Sequence, residues 1–231
     1  MSTDKTVLIT GASRGLGLTF AKHYTKAGWK VIGTARNVDK ANELNGFPFK
    51  IVPLDTSDED SIAQMAKELD GVPIDLLSTT PESSSQARTP RPLRKFMRHF
   101  EINSVGPFLT TRALHNNLKL AADARGLAIV ASVTSILGSI EVNLDGAFGP
   151  LKKVYYDNTS YRTARCTATA RPKGQDLQVV LQPGYVKTDL NHGGGAIDPE
   201  TSIAGMTKVL STVTLEDTSK FYDFQGPELP W

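Results

Sequence analysis

The sequence predicts an α/β domain: a doubly wound parallel sheet with helices on both faces. Three observations carry that prediction. Short apolar, β-rich runs alternate with segments of helical period. Most of those runs are nearly continuous in apolar residues, as strands covered on both faces require. A glycine cluster separates the first run from the first helix. The chain has 231 residues, the size of one domain, and no repeat or linker divides it.

The predicted strands are residues 6–10, 30–34, 49–54, 74–77, 127–132 and 177–181. After the first, a helix carries Leu16, Phe20 and Tyr24 on one side. After the third, Ser57 is a good N-cap, and Asp60 three residues on makes a weak capping box. Ile62, Met65, Ala66 and Leu69 then follow at i, i+3, i+4 and i+7. Ile203, Met206, Leu210 and Val213 form a similar stripe further on. Two stretches break the pattern. Residues 78–93 are polar, proline-bearing and aperiodic, so they read as loop. Residues 165–174 are poor helix material, because Thr167 and Thr169 are β-branched and Pro172 and Gly174 stop a helix.

Composition narrows the function. Apolar residues make up 39% and charged residues 22%, and 26 basic against 24 acidic residues leave a net charge of +2. That balance gives no field for nucleic acid or an anionic membrane. No apolar run reaches membrane-spanning length. Cys166, the single cysteine, has no partner for an internal disulfide and suits a reducing compartment. With no apolar leader ahead of the first strand, the expectation is a cytoplasmic protein. His23, His99, His115 and His192 show no ligand spacing, so no metal site is expected.

The first strand runs into Thr10-Gly11-Ala12-Ser13-Arg14-Gly15-Leu16-Gly17. Glycines at a strand-to-helix turn let backbone N–H groups approach a pyrophosphate, whose charge the helix N-terminus favours. A glycine cluster also makes a plain tight turn; its place after the first strand of an α/β pattern favours the nucleotide reading, and with it a Rossmann-type sheet. Where NAD-preferring sites carry a carboxylate, the second strand ends in Arg36, and Arg14 lies in the glycine loop. Two guanidiniums suit a 2′-phosphate, so NADP is expected over NAD; the alternative is a solvated loop arginine. Asp55, after the third strand, either meets the adenine or caps the next helix.

The whole set resembles the short-chain dehydrogenase/reductase family over nearly the full chain. The carrying residues are the 10–17 loop, Asn103 in Glu-Ile-Asn-Ser-Val-Gly-Pro-Phe, Ser135 in Thr-Ser-Ile-Leu-Gly-Ser-Ile, and Tyr161 in Ser-Tyr-Arg-Thr. Pro183-Gly184-Tyr185-Val186-Lys187-Thr188-Asp189 and the ending Leu229-Pro230-Trp231 complete it. The Ser-Ile-Leu-Gly-Ser-Ile and Leu-Pro-Trp pieces are similar to the carbonyl reductase-like branch that includes sniffer and C-factor proteins. The resemblance implies an NADPH-dependent oxidoreductase acting on a small carbonyl or alcohol. It implies Asn103, Ser135, Tyr161 and Arg165 as the catalytic set. Tyr161 would exchange the proton, and Ser135 would hydrogen-bond the carbonyl oxygen. Asn103 would hold a helix backbone and a water in a proton relay. Cofactor contacts would fall to Gly11, Ser13, Arg14, Leu16, Gly17, Arg36, Asp55, Thr79, Asn103, Tyr161, Pro183, Gly184, Val186 and Thr188. Thr188 would take the nicotinamide carboxamide. Substrate would meet the loops 137–157 and 188–197. A homodimer or homotetramer is implied, built on the helices beginning near Asn103 and near Tyr161.

Four departures stand out. Arg165 occupies the family's lysine position, four residues after the tyrosine; it is cationic but differs in shape and proton chemistry. Thr79-Thr80-Pro81-Glu82 replaces Asn-Asn-Ala-Gly and puts Glu82 near the cofactor. The segment from Tyr161 to Pro183 is about two helical turns short. Residues 146–159 lengthen the spacing from Ser135 to Tyr161. The genetic code offers a shared account. Codons TCA-ACA-ACG-CCG-GAA-TCC for residues 78–83, shifted by one base, read Ile-Asn-Asn-Ala-Gly-Ile, and the same shift at Ala164-Arg165 permits Ser-Lys. The segments 78–93 and 164–171 then read as out-of-frame translations, which resequencing the coding DNA tests. The rival to an active enzyme is a catalytically dead homologue that binds nucleotide or serves as a scaffold.

Overall fold

A computed structural model describes residues 4–44, 46, 50–80, 93–139, 141–142, 176–191 and 193–231. Its sheet runs β3-β2-β1-β4-β5-β6-β7-β8. The strands are β1 (Thr6–Ile9), β2 (Lys30–Ala35), β3 (Lys50–Pro53), β4 (Leu76–Thr79), β5 (Ala128–Val133), β6 (Asp176–Gln182), β7 (Phe221–Asp223) and β8 (Glu228–Leu229). Every pairing is parallel up to β7, and β8 returns antiparallel beside it. This is the expected doubly wound α/β sheet of Rossmann type. Its order reverses between β1 and β4, the place where such sheets open a crevice at their carboxyl edge.

Alternation along each strand separates two cores. Val7, Ile9, Val31 and Leu76 face α1 (Gly15–Lys26) and the last helix, α6 (Pro199–Leu210), through Phe20, Ala21, Ile203 and Met206. Leu8, Ile32, Leu77 and Val130 face the opposite layer. That layer holds α2 (Glu59–Glu68), α4 (Gly106–Ala113) and α5 (His115–Arg125), and α3 (Leu93–Phe100) precedes α4 along the chain. Asn117 on α5 donates its side-chain amide to the Leu69 and Val72 carbonyls at 2.6 and 2.9 Å, which fixes the entry to β4.

The six anticipated strands are present, with ends shifted by a residue or two. Helix α2 is capped by Asp58, whose carboxylate accepts from Asp60 N, and not by Ser57. The Ser57 hydroxyl instead donates to Asp55 at 2.6 Å. Val213 is buried in the core although α6 ends at Leu210. The hairpin β7–β8 was not anticipated; three- and two-residue strands are too short to show a period.

Between α3 and α4, residues Glu101–Val105 form a π-helical turn. Pro107 has no N–H for the Asn103 carbonyl four residues earlier, so α-helical bonding cannot continue through this point. Gly106 N bonds to Glu101 O instead. A Cβ on Gly106 would stand 2.5 Å from Thr56 O, so only glycine lets this helix pass the loop before α2. The wider turn points Asn103 and Ser104 inward, where both are buried.

Candidate cofactor cleft and catalytic loop

At the carboxyl edge of β1, β2 and β4 lies a cleft of about 910 Å³. The glycine loop forms its floor. Gly11 (φ 63°) and Gly15 (φ 54°) take left-handed conformations that side-chained residues rarely adopt. A Cβ on Gly17 would lie 2.3 Å from Gly11 O, so the turn closes only with glycine there. The loop is tied down from both sides. Ala12 N donates to Thr34 O at 2.9 Å. Thr80 N donates to Thr10 Oγ1 at 3.2 Å, and Thr80 Oγ1 donates to Thr10 O at 2.6 Å. Arg14 precedes α1 without a side-chain capping bond, and the first turn carries no acidic residue. The helix N-terminus therefore meets the cleft with its partial positive charge uncompensated by any carboxylate of its own first turn.

Gly11, Ser13, Arg14, Leu16, Gly17, Arg36 and Thr188 all line this cleft. The structure adds Asn37, Lys40, Glu43, Thr80, Asp189 and Leu190 to its walls. Lys40 closes a short turn, Val38–Lys40, in which Asn37 Oδ1 accepts from Lys40 N at 3.2 Å. A basic residue four positions after Arg36 was the sequence signal for it.

Other expected residues shape the site from behind. Thr79 is buried with its hydroxyl 3.3 Å from Ser132 Oγ, so the threonine at the cleft wall is Thr80. Asp55 accepts from Ser57 N and Oγ at 3.0 and 2.6 Å. Burial opposes its charge, but the Ser57 hydrogen bonds and the Arg36 and Arg98 cations prevail and hold its carboxyl below the usual range. Pro183 O accepts from Ser202 Oγ at 2.6 Å, Gly184 turns at φ 83°, and Val186 is buried. Together they aim the following segment back toward the cleft, where Thr188 Cγ2 would lie 4.0 Å from a Cβ on Gly15. Lys187 N bonds to Ile197 O, and Lys187 Nζ pairs with Asp198 at 3.1 Å, closing the base of the 188–197 loop.

Ser135 stands just past β5 and caps the turn Ile136–Gly138, accepting from Leu137 N at 3.2 Å. An Oγ that accepts here keeps its proton for another acceptor. Tyr161, Arg165, Glu82, Cys166 and His192 lie outside the described residues, as do most of the two segments read as out of frame. Of the expected catalytic set, the structure thus places Asn103 and Ser135. Among the described residues, no group of His, Cys, Asp and Glu could hold a metal, and no helix is long and apolar enough to cross a membrane.

The family model for short chain dehydrogenases matches residues 5–195. The C-signal protein of Myxococcus xanthus is 34% identical over 135 residues, covering 58% of this chain and 77% of that one. Among solved structures, the NADPH-bound carbonyl reductase from chicken fatty liver superposes with a TM-score of 0.84 at 27% identity, covering 99% of each chain. The carbonyl reductase Sniffer of Drosophila melanogaster gives 0.87 at 23% identity, covering 99% of this chain and 100% of that one.

Proposed function

The chain belongs to the short-chain dehydrogenase family, and from that premise we propose that it is an NADPH-dependent oxidoreductase that reduces a small carbonyl compound or oxidises the matching alcohol. The observation that carries this reading is the cleft. Its glycine floor admits a pyrophosphate, and Arg14, Arg36 and Lys40 share its walls. NADPH, when bound, supplies the hydride. Backbone N–H groups of the loop at Gly11–Gly17 would hold the pyrophosphate, and the guanidiniums of Arg14 and Arg36 the 2′-phosphate. Thr188 would hydrogen-bond the nicotinamide carboxamide. Ser135, already an acceptor from Leu137 N, would donate its proton to the substrate oxygen. Tyr161 would give that oxygen its proton in reduction, with Arg165 as the cation that eases phenol ionisation. Asn103, buried on the π-helical turn, would hold the proton-relay water.

A panel of ketones and quinones assayed by NADPH oxidation tests this reading. Turnover that Tyr161→Phe and Ser135→Ala each reduce by about a hundredfold or more supports it. Arg165 in the lysine position favours one rival, a homologue that binds nucleotide without chemistry. NADPH binding with no turnover across the panel would establish that rival.

A further inference from the structure

The Ser135 turn is held between two walls by contacts that Ser135 does not itself make. Thr134 N still bonds to Leu181 O at 2.8 Å, the last rung of the ladder between β5 and β6. Beyond it, Ile136 N donates to Oε1 of Gln182 at 3.0 Å. Gln182 ends β6 and is only 9% exposed, so its acceptor is fixed by the sheet. The opposite wall is the exit of β8. Ser139, wholly buried, donates its hydroxyl to Pro230 O at 3.0 Å and accepts from Val142 N at 3.1 Å. Glu141 N donates to the backbone oxygen of Trp231 at 2.9 Å. Trp231 is anchored in turn, packing on the Val180–Phe221 cluster with its ring 6.0 Å from that of Phe221.

The bonds within the turn itself are local: Leu137 N to Ser135 Oγ, Gly138 N to Ser135 O and Ser139 N to Ile136 O. Local bonds keep a turn's shape but do not fix it to the sheet. A donor displaced by about an ångström can lose roughly a hundredfold in rate. We propose that Gln182 and the Pro230–Trp231 segment are positioning residues that hold the Ser135 hydroxyl in register with the cleft. The inference rests on the reading of Ser135 as the donor to the substrate oxygen.

The test uses the full chain with two readouts. The first, on the protein without cofactor, is amide exchange across residues 134–142. The second separates kcat from KM for NADPH. Gln182→Leu removes the acceptor for Ile136 N, and Trp231→Ala removes the ring anchor. Each should speed exchange at residues 136–142 by about tenfold or more, leaving β1 and the glycine loop protected. Each should also lower kcat by roughly ten- to a hundredfold and leave KM for NADPH within about twofold. Gln182→Glu keeps an acceptor oxygen and should restore both. Unchanged exchange in Gln182→Leu and Trp231→Ala overturns the tether. Faster exchange with unchanged kcat overturns its part in positioning. A Ser135→Ala variant with wild-type turnover, or a wild type with none, overturns instead the role given to Ser135, whatever the exchange shows.

Discussion

A guanidinium at the end of β2 would separate the two nicotinamide cofactors by charge, because they differ only in a 2′-phosphate. Arg36 stands there, and its charge helps hold the Asp55 carboxyl below its usual range. Replacing Arg36 by Asp removes a cation and adds an anion beside the same site. Affinity for 2′,5′-ADP should fall by more than about tenfold, while affinity for 5′-ADP changes by no more than about twofold. Isothermal titration measures both, and an equal loss for the two ligands would remove the case for NADP preference. Gly17 makes a second prediction at this scale. Its missing Cβ is what lets α1 approach Gly11 O, so Gly17→Ala must push helix and loop apart. Binding of both ligands should be lost together, with a lower melting temperature, since the pyrophosphate floor serves either cofactor. Arg14, Arg36 and the glycines were legible because their chemistry is local. Thr80 was not, since the two bonds it donates to Thr10 join residues 70 apart.

Elements that pack by period declared themselves; those held by single polar contacts did not. Helices α1, α2 and α6 carry regular apolar stripes, whereas β7 and β8 depend on a turn and a carboxylate. Asp217 accepts from Lys220 Nζ at 2.8 Å, from Tyr222 OH at 2.8 Å and from Thr214 N at 2.7 Å. It thereby ties the turn Leu215–Asp217 to the start of β7. The Lys220 hydrogen bond is the largest influence, and the Thr214 and Tyr222 bonds add to it; together they hold the carboxyl well below the ordinary range. Because the folded value lies below the unfolded value of about 3.9, this cluster stabilises the fold above about pH 4 and weakens as pH falls below it. Asp217→Asn should therefore lower the melting temperature at pH 7 and flatten its decline between about pH 5 and pH 3. Thermal scans across that range check it. A variant that tracks the wild type in parallel at every pH would show that Asp217 contributes no pH-linked stability.

For the molecule as a whole, the doubly wound sheet is legible in the alternation of apolar runs with helical segments, but how copies of the chain meet depends on surfaces that no period reveals. The family reading places assembly on the helix beginning near Asn103, which is α4 behind its π-helical turn, and on the one beginning near Tyr161; the second lies outside the described residues. The helix just before the first, α3, leaves Leu93, Met97 and Phe100 exposed by 74, 51 and 38%. Their spacing, four and then three residues, puts them in one stripe along the helix. An apolar stripe beside the helix expected to meet its own copy would suit a second subunit, since a two-fold contact sets the same stripe against itself. Its basic neighbours Arg94 and Arg98 work against close self-contact, although the ion pair from Arg98 to Glu101 at 2.9 Å tempers one of them. Light scattering should thus give about twice the 25.0 kDa chain mass at tens of micromolar protein, with dissociation on dilution. Met97→Glu sets two carboxylates face to face across the two-fold contact and should return the chain to a monomer with its circular dichroism intact. A monomer in the wild type at high concentration would remove the expectation of assembly. A dimer unmoved by Met97→Glu would place the contact elsewhere on the surface.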